Sequence, residues 1–384
     1  MKVLQISKYQ YPYIGGTEQV ARDIVNALQN DDTIEQKIIC FNEDASDGDY
    51  ICHRGETVHD IVDGIEVIRC GCFAKVASQS LSMTYFNELK KVLKEFSPDI
   101  VILHYPNPFV TNFLLSMLSK DIELIVYWHL DITKQKFLGK LFHRQNIKLL
   151  KRANKVVATS PNYIAGSPYL SKFRDKCVVV PNCIRTERLE ATDLVKRKAS
   201  DIRAKNKDKT LIFACGRHVP YKGMTYLVKA SKYLDENFRI YIGGKGELTE
   251  ELKKEADGDD KIAFLGRVSD DDLKAYYMAC DIFAFPSITK NEAFGIALAE
   301  AMYMGLPAVT FTIPGSGVNY VSVNGETGIE CPNGDWKAFA EALKKLGDDK
   351  NLSEKYSKNA KKRVEDKFMF EQFAENIKGL INGI

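Results

Sequence analysis

The chain has 384 residues, of which 45% are hydrophobic and 27% are charged, as is typical of a soluble globular protein. This length suffices for two α/β domains of ordinary size, each with its own core. The formal net charge of +3 gives no general reason to expect a nucleic-acid partner, and no apolar run is as long as a membrane span.

The N-terminal residues and the cysteines both favour a cytoplasmic protein. Residues 1–7 contain one lysine and a short apolar run that ends in polar residues, so they predict a first β-strand and lack the apolar region of a signal peptide. Nine cysteines are scattered along the chain, several inside strand-like runs, as in proteins that keep cysteine reduced and buried. The cysteines and histidines of region 52–72 match no common zinc-ligand spacing.

Residues 1–183 alternate between strand-like and helix-like segments. Ile100–Leu103 is a continuous apolar run, whereas Phe86, Leu89, Leu93 and Phe96 repeat at helical spacing. This alternation predicts a parallel sheet covered on both faces. The predicted strands are 2–7, 36–41, 65–69, 100–104, 123–128, 156–160 and 177–180, and the predicted helices are 17–29, 82–96, 109–119, 134–152 and 161–170.

A charged stretch, 185–209, separates this half from a second one and predicts a linker with a surface helix. We therefore place a second domain at 184–369, in which the alternation restarts. Its predicted strands are 210–215, 239–243, 262–265, 281–285 and 307–311, and the last predicted helices are 335–346, 352–367 and 370–382.

The stretch from Ser287 to Pro307 contains two carboxylates eight positions apart, Glu292 and Glu300. We predict that a helix begins near Gly295, with Glu292 in the loop before it and Glu300 on its second turn. The free N–H groups at such a helix start, here those of Phe294 and Gly295, favour an anionic ligand. Carboxylates that accept hydrogen bonds beside amides that donate them suit a sugar nucleotide, although two such glutamates more often form a solvated helix face.

This stretch resembles the Glu-x7-Glu signature of retaining GT-B glycosyltransferases, in particular glycosyltransferase family 4. The resemblance implies an α/β fold of two Rossmann-like, doubly wound domains that face each other across a cleft. It also implies that the last helix, within 370–384, crosses back to the first domain. The implied reaction moves a sugar from a nucleoside-diphosphate donor to an acceptor hydroxyl with retention of the anomeric configuration.

A second motif lies between Cys215 and Gly223, after a strand and before a helix. Arg217 offers a planar fork of donors and Lys222 a mobile positive charge, which together suit a diphosphate and the charge that builds on it as it departs. The alternative is an ordinary surface pair. The motif resembles the phosphate-binding Arg and Lys of the family.

The first loop carries Gly15 and Gly16, where paired glycines allow the backbone to approach a bulky anion, and Thr17 is a candidate helix cap. The same pair would also suit a simple tight turn. It resembles the donor-phosphate loop of the family. The chain has no Gly-x-Gly-x-x-Gly here, which argues against a nicotinamide-dependent dehydrogenase.

The segment from Tyr127 to Ile132 ends a predicted strand of the first domain, where the functional groups of doubly wound sheets collect. By resemblance, His129 hydrogen-bonds a hydroxyl of the transferred sugar and shapes the reacting geometry without acting as a base. A lone histidine can equally be a packed bystander. His104, at the end of a neighbouring strand, is a weaker candidate for the acceptor side.

The resemblance assigns the remaining donor contacts. Glu292, with Ala293, Phe294 and Gly295, would contact the donor sugar and phosphate, Glu300 the ribose, and Val268 the base. The amides of 314–317 are further candidates beside the sugar. The catalytic set implied in this way is His129, Glu292, Arg217 and Lys222.

Neither a metal nor another cofactor is expected, and a UDP- or GDP-sugar is the expected co-substrate. Three Asp-x-Asp sequences occur, in acidic loops or at a helix start, where solvated turns and helix caps are the usual roles. With Arg217 and Lys222 present, the diphosphate has cationic partners without a metal. The three sequences begin at Asp47, Asp257 and Asp270.

Residues 134–155 contain eight Lys or Arg and no acidic residue, with apolar side chains along one helical stripe. Such a helix can lie on anionic lipid, or its stripe can pack on the chain's own sheet with the cations in solvent. The family resemblance favours membrane contact, since many members act on lipid-linked acceptors. We thus expect a cytoplasmic hexosyltransferase, peripheral to the inner face of the membrane, that takes a glycan or lipid-linked acceptor in bacterial surface-polysaccharide synthesis.

Two other functions fit the sequence less well. A sugar-nucleotide epimerase or hydrolase on the same scaffold needs a general base and admits water. A non-catalytic protein that binds sugar nucleotides would not need the full set of charges.

Overall fold

A computed structural model describes residues 1–13, 15–43, 53–76, 79–132 and 139–383, with the side chains of residues 139–141 left out. The chain divides into two compact units. Unit 1 contains Met1–Thr159, Ile164–Val180 and the C-terminal segment that begins at Phe370. Unit 2 contains Pro181–Met369 and the short stretch Ser160–Tyr163.

Unit 1 is built on an eight-stranded sheet with the strand order β10-β9-β8-β7-β1-β2-β4-β3, in which only the β3–β4 pair is antiparallel. A separate hairpin pairs β5 with β6. The strands are β1 (Lys2–Ile6), β2 (Glu35–Asn42), β3 (Val58–Val62), β4 (Ile65–Gly71), β5 (Ala74–Val76), β6 (Gln79–Leu81), β7 (Ile100–Tyr105), β8 (Glu123–Trp128), β9 (Lys155–Ala158) and β10 (Cys177–Val179).

The first helices of the chain cover this sheet because their apolar stripes face it. All six residues of the central strand β7 are buried, which explains its unbroken apolar run. The helices are α1 (Gly16–Leu28), α2 (Tyr85–Glu95), α3 (Pro108–Met117), α4 (Gly139–Arg152) and α5 (Pro161–Gly166). The last helix of the chain, α14 (Phe370–Asn382), packs against α1.

Unit 2 is built on a six-stranded, wholly parallel sheet with the order β13-β12-β11-β14-β15-β16. Its strands are β11 (Thr210–Cys215), β12 (Phe238–Gly243), β13 (Ile262–Gly266), β14 (Ile282–Phe285), β15 (Ala308–Phe311) and β16 (Gly328–Cys331). Its helices are α6 (Asp193–Ala204), α7 (Met224–Ser231), α8 (Thr249–Ala256), α9 (Asp270–Ala279), α10 (Ile296–Tyr303), α11 (Val318–Val321), α12 (Trp336–Asp348) and α13 (Lys350–Lys367).

The predicted strands and helices with regular patterns are all present, within a few residues at their ends. The sequence patterns did not predict the edge strand β3, the short hairpin of β5 and β6, or β16. β3 carries an exposed Ile61 and lacks a clear buried face, so periodicity alone did not reveal it. Asp63 and Gly64, both with positive φ, form the turn to β4, and an Asp-Gly pair is a strong hairpin signal that would have found it.

The strand order places two loops side by side in unit 2. The order reverses between β11 and β14, and ligands of doubly wound sheets bind beyond the carboxyl ends of the strands at such a switch point. β11 leads into residues 216–223 and β14 into residues 286–295. The two motifs that the sequence analysis singled out therefore meet at this position.

Candidate active site

Lys222 and Glu292 form an ion pair at the switch point of unit 2. The Lys222 ammonium donates a hydrogen bond to Glu292 Oε2, and the Ser287 hydroxyl donates to the same oxygen over 3.1 Å. Both charged side chains are largely buried, 15% and 11% exposed. Burial lowers the pKa of Lys222, but the carboxylate of Glu292 more than offsets this effect, so the net pKa is raised and the amine stays charged.

Aromatic rings complete the surroundings of the Lys222 ammonium. Its nitrogen lies 5.3 Å from the ring centroid of Phe285 and 5.6 Å from that of Tyr221. The negative faces of these rings stabilise a cation where water is scarce. The site therefore holds a fixed positive charge together with a carboxylate that can accept hydrogen bonds.

Backbone contacts hold the two loops against each other. Gly223 has φ +64°, and a Cβ there would overlap the Pro286 carbonyl oxygen, so only glycine allows this close approach. On the other side, the Ser316 hydroxyl donates to the Glu292 carbonyl oxygen and the Gly317 amide donates to that of Ala293 over 3.1 Å. The loop 314–317 thus supports the Glu292 segment. Because the Gly317 amide donates to Ala293, it is not available to a sugar as the sequence suggested.

Helix α10 begins where the sequence predicted. Gly295 caps it with φ +92°, and Phe294 is buried with its ring 5.3 Å from that of Phe368. The Phe294 side chain therefore belongs to the core, which leaves only its backbone to meet a ligand. The amides of Phe294 and Gly295 stand at the start of α10, next to the buried Glu292.

Arg217 lies in the same loop as Lys222. Its Nη2 donates to the Tyr221 hydroxyl over 3.1 Å, and its side chain is exposed. The positive charge of Arg217 acts to lower the pKa of Lys222, so the two cations lie within electrostatic range of each other. The structure thus brings the predicted diphosphate-binding pair together.

Glu300 lies on the second turn of helix α10, the helix that follows Glu292 in the chain. Tyr277 donates to Glu300 Oε2 over 3.4 Å, and burial raises the pKa of Glu300 while Arg188 opposes that effect. Burial raises the pKa of the Cys215 thiol, at the end of β11, to about 11; the charge of Glu300 adds to this rise and that of Lys222 opposes it. Both charges therefore act on one thiol, which places Glu300 at the same edge of the sheet as Lys222.

The carboxyl ends of the neighbouring strands β11, β12 and β13 are in close contact. Gly244, with φ +117°, lies against the Gly216 carbonyl oxygen, where a Cβ would not fit, and Val268 lies against Gly243. Val268 also lines a cavity of about 380 Å³ together with Arg267, which follows β13, and with residues of α6 and α9 such as Lys198 and Asp272. The predicted base contact, Val268, thus lies near the carboxyl ends of these strands.

The glycine loop of unit 1 differs from the prediction in two respects. Thr17 is not the helix cap, because α1 begins at Gly16 with Gly15 as its N-cap. Glu18 folds back so that its carboxylate fills the space beside Gly15, whereas the corresponding space at Gly16 is open. Close approach at Gly15 is therefore made by the chain's own carboxylate.

Glu18 is a residue that the sequence analysis missed. It is 7% exposed, and burial raises its pKa to about 7, partly offset by its own backbone N–H and by Lys8. A glutamate three residues after an N-cap is a capping-box position, and that signal could have identified it. Its carboxyl group titrates near neutral pH next to the predicted phosphate loop.

His129 follows β8 and forms a hydrogen bond with His104, which ends β7. His104 Nδ1 and His129 Nε2 are 2.9 Å apart, and His104 Nε2 lies 2.9 Å from Gln5 Oε1. His104 is 1% exposed and uses both ring nitrogens, so it does not line an acceptor surface as the sequence analysis suggested. It lies behind His129.

The Asp-x-Asp sequences that fall in the described residues occupy a turn and a helix start. Asp259 accepts hydrogen bonds from Ser231 and Lys261, and Asp272 accepts them from Ser269 and Lys198. Asp47 and Asp49 lie outside the described residues. Within the described ranges, no group of three or more His, Cys, Asp or Glu side chains is arranged to hold a metal ion.

The basic stretch 134–155 is helical from Gly139, and residues 134–138 lie outside the described residues. Leu149 and Leu150 are fully buried, so this part of the apolar stripe packs on unit 1 and is not available to lipid. Arg152 donates to the carbonyl oxygens of Ser119 and Ile122. The exposed basic residues of α4 with described side chains are His143, Arg144, Lys148 and Lys151.

Across the described part of the chain, no helix combines the length and the apolarity that crossing a bilayer requires.

Two family models match the chain, one in each half. The model described as Glycosyltransferase Family 4 matches residues 14–188, and the model described as Glycosyl transferases group 1 matches residues 195–363. HepE of Anabaena, solved in complex with UDP, has the same fold, with a TM-score of 0.79 over 100% of both chains at 16% identity. The chain has the GT-B glycosyltransferase fold. The predicted fold class is confirmed.

Two curated relatives match this chain over nearly its whole length. O-antigen chain mannosyltransferase C of Escherichia coli is 29% identical over 373 residues, which cover 96% of this chain and 94% of the relative. D-rhamnosyltransferase WbpZ of Pseudomonas aeruginosa is 29% identical over 376 residues, which cover 96% and 92%.

Proposed function

We propose that this GT-B glycosyltransferase transfers a hexose or deoxyhexose, with retention of configuration, from a nucleoside-diphosphate sugar to an acceptor hydroxyl. The observation that supports this most directly is the buried Lys222–Glu292 ion pair at the switch point, with Arg217 in the same loop. At the carboxyl edge of the unit 2 sheet, the arrangement supplies cations for a diphosphate and a carboxylate for sugar hydroxyls.

In this proposal each residue has a distinct role. Arg217 and Lys222 bind the diphosphate and stabilise the charge that develops on it, without a metal ion. Glu292 and the amides of Phe294 and Gly295 hold the sugar and its phosphate. The ribose contacts Glu300, and Val268 lies beside the base. For unit 1 we propose that Gly16, more than Gly15, faces the phosphate and that His129 meets a sugar hydroxyl.

The proposed bond changes balance without a protein nucleophile. The acceptor oxygen forms a bond to the anomeric carbon on the face from which the diphosphate leaves, and the acceptor proton passes to the departing phosphate oxygen. Glu292 already accepts hydrogen bonds from Lys222 and Ser287, which suits it to binding rather than to attack on the anomeric carbon. A dry site would slow hydrolysis of the donor.

The names of the relatives guide the choice of substrates. One is a mannosyltransferase of O-antigen chains and another a D-rhamnosyltransferase, and HepE was solved with UDP. We therefore propose a role in bacterial surface-polysaccharide or lipid-linked glycan synthesis at the inner face of the membrane. The exposed cations of α4 would supply a surface for anionic lipid, while Leu149 and Leu150 of the apolar stripe are buried in unit 1.

A thermal-shift panel of UDP, GDP and ADP tests the donor class first. A nucleotide present at 100 times its Kd stabilises the folded protein by about 2.7 kcal/mol, so the cognate nucleotide should raise the melting temperature of the wild type. The same nucleotide should leave Lys222→Met unchanged. Equal shifts in the wild type and the variant would contradict the diphosphate role of Lys222.

Incubation of UDP- and GDP-sugars with and without a lipid-linked glycan acceptor tests the reaction. A transferase consumes the donor mainly when acceptor is present, and the product keeps the anomeric configuration. An epimerase or hydrolase converts the donor alone, and a binding protein converts nothing.

A further inference from the structure

Unit 1 contains a hydrogen-bonded chain of three side chains that ends at His129. Gln5 lies on β1, His104 on the adjacent β7, and His129 directly after β8, the next strand. In the strand register Gln5 is opposite Ile102, and His104 is opposite Tyr127. Because side chains two positions apart on a strand share a face, this register puts Gln5 and His104 on one side of the sheet.

The three side chains have the geometry of strong in-plane hydrogen bonds. Gln5 Oε1 lies 2.9 Å from His104 Nε2, and His104 Nδ1 lies 2.9 Å from His129 Nε2. The two imidazole planes differ by only 10°, with centroids 5.2 Å apart. That separation is the N···N distance plus the two ring radii, so the rings meet edge to edge, and the N–H of one points at the in-plane lone pair of the other.

Both imidazoles are neutral. Gln5, His104 and His129 are 1%, 1% and 7% exposed. Burial lowers the pKa of His104 to about 3 and lowers that of His129 well below its ordinary value, with His104 contributing to the second shift. A neutral imidazole carries a single N–H, so each ring has one donor and one acceptor.

The direction of the chain follows from its far end. Gln5 Oε1 only accepts, so His104 carries its hydrogen on Nε2 and presents the Nδ1 lone pair to His129. His129 therefore donates from Nε2. Its remaining ring nitrogen, Nδ1, then carries a lone pair and no hydrogen.

We propose that Gln5 and His104 are positioning residues that hold His129 as the Nε2–H tautomer, so that Nδ1 accepts a hydrogen bond from a hydroxyl of the transferred sugar. The role of the hydroxyl rests on the proposed function, whereas the tautomer does not. A second consequence concerns specificity. The sugar must donate at this position, so a donor with a methoxy or fluoro group there loses the contact.

Nitrogen NMR of the protein labelled with ¹⁵N-histidine tests the tautomer without any substrate. The protein has only six histidines, and the His129 signals are those that disappear in His129→Ala. We expect protonated Nε2 and bare Nδ1 for His129, unchanged between pH 6 and 8. In Gln5→Met and in His104→Phe, His129 should become a tautomer mixture. A hydrogen on Nδ1 in the wild type, or an unaltered tautomer in both variants, overturns the proposal.

Measurements of kcat and KM test whether the hydrogen bonds among Gln5, His104 and His129 contribute to catalysis. By analogy with the partners that orient metal-binding histidines, Gln5→Met and His104→Phe should lower kcat by about 10-fold to 100-fold with little change in the donor KM. Tyr127→Phe is the matched control: its ring lies 4.8 Å from that of His129, and its hydroxyl donates to the Val180 carbonyl oxygen over 3.4 Å, so the substitution keeps the ring beside His129. It should keep wild-type turnover.

The outcomes separate the two proposals. If Gln5→Met and His104→Phe both show a tautomer mixture at His129 but keep wild-type kcat, these residues do not position His129 for the reaction, and the inference is overturned. The proposed glycosyl transfer is not affected by that result. Full activity of His129→Ala removes the histidine from the proposed function instead. Equal losses in Tyr127→Phe and Gln5→Met assign the effect to general packing and also overturn the inference.

Discussion

The Lys222 ammonium is hydrogen-bonded to the Glu292 carboxylate, although the two residues are 70 positions apart in the chain. The pair forms because β11 and β14 are neighbours at the point where the strand order reverses. If a diphosphate binds here as proposed, we expect it to compete with Glu292 for the lysine. Glu292 would then be free to accept hydrogen bonds from the sugar.

The ion pair predicts separable effects on activity and stability. Lys222→Met and Glu292→Gln should each reduce transfer by orders of magnitude. Each should also cost about 3 kcal/mol of unfolding free energy, because a buried charge loses its partner. The double variant should recover much of this stability and none of the activity. Urea unfolding and transfer assays on the three proteins measure both effects.

The control for this series is Lys229→Met. Lys229 forms a 3.6 Å ion pair with Glu255 in which the lysine is 42% exposed, so its removal should change stability by less than about 1 kcal/mol. A double variant as unstable as the sum of its two single variants would contradict the pairing.

Gly223 should tolerate no side chain, for two separable reasons. Gly258 has nearly the same backbone angle, φ +71°, but open space where a Cβ would lie. Gly258→Ala should therefore report the conformational cost alone, about 1–2 kcal/mol. Gly223→Ala adds the overlap with the Pro286 carbonyl oxygen, so it should cost more and also weaken nucleotide binding. Melting curves of both variants decide this, and equal losses would mean that the loop contact is unimportant.

Glu18 should make stability depend on pH. Its folded pKa of about 7 lies above the ordinary 4.5, so the folded chain holds the proton more tightly than the unfolded chain does. Stability from this group is complete below pH 4.5 and is lost as the pH rises through 7, by roughly 3 kcal/mol in total. Glu18→Gln should melt above the wild type at pH 8 and close to it at pH 4.5. A melting difference that stays constant with pH would rule out this titration.

The exposed face of α4 should carry any attraction to anionic lipid. Arg144→Gln, Lys148→Gln and Lys151→Gln together should weaken flotation with anionic liposomes, by about 1 kcal/mol per charge lost. The control replaces Lys355, Lys358 and Lys362, which are equally exposed on α13. Arg152 is left intact because it bonds two backbone carbonyl oxygens. Equal losses in both triple variants would show a general charge effect.

Local patterns in the sequence were sufficient for much of the architecture. Continuous apolar runs such as Ile100–Leu103 predicted the buried parallel strands, and glycine before an apolar segment predicted the start of α10. Periodicity failed at β3, because an edge strand with an exposed Ile61 has no regular buried face. It also did not reveal Glu18, whose carboxylate folds back onto its own helix start.

The sequence by itself determined which chemical groups this glycosyltransferase has, since Arg217, Lys222, Glu292 and Glu300 stand in recognisable local motifs. Only the tertiary structure decided which groups meet. Lys222 is held by Glu292, and His104 lies behind His129 and not on a surface, because the order of the strands in each sheet sets these distances. Strand order arises from long-range packing, which no local pattern of residues records.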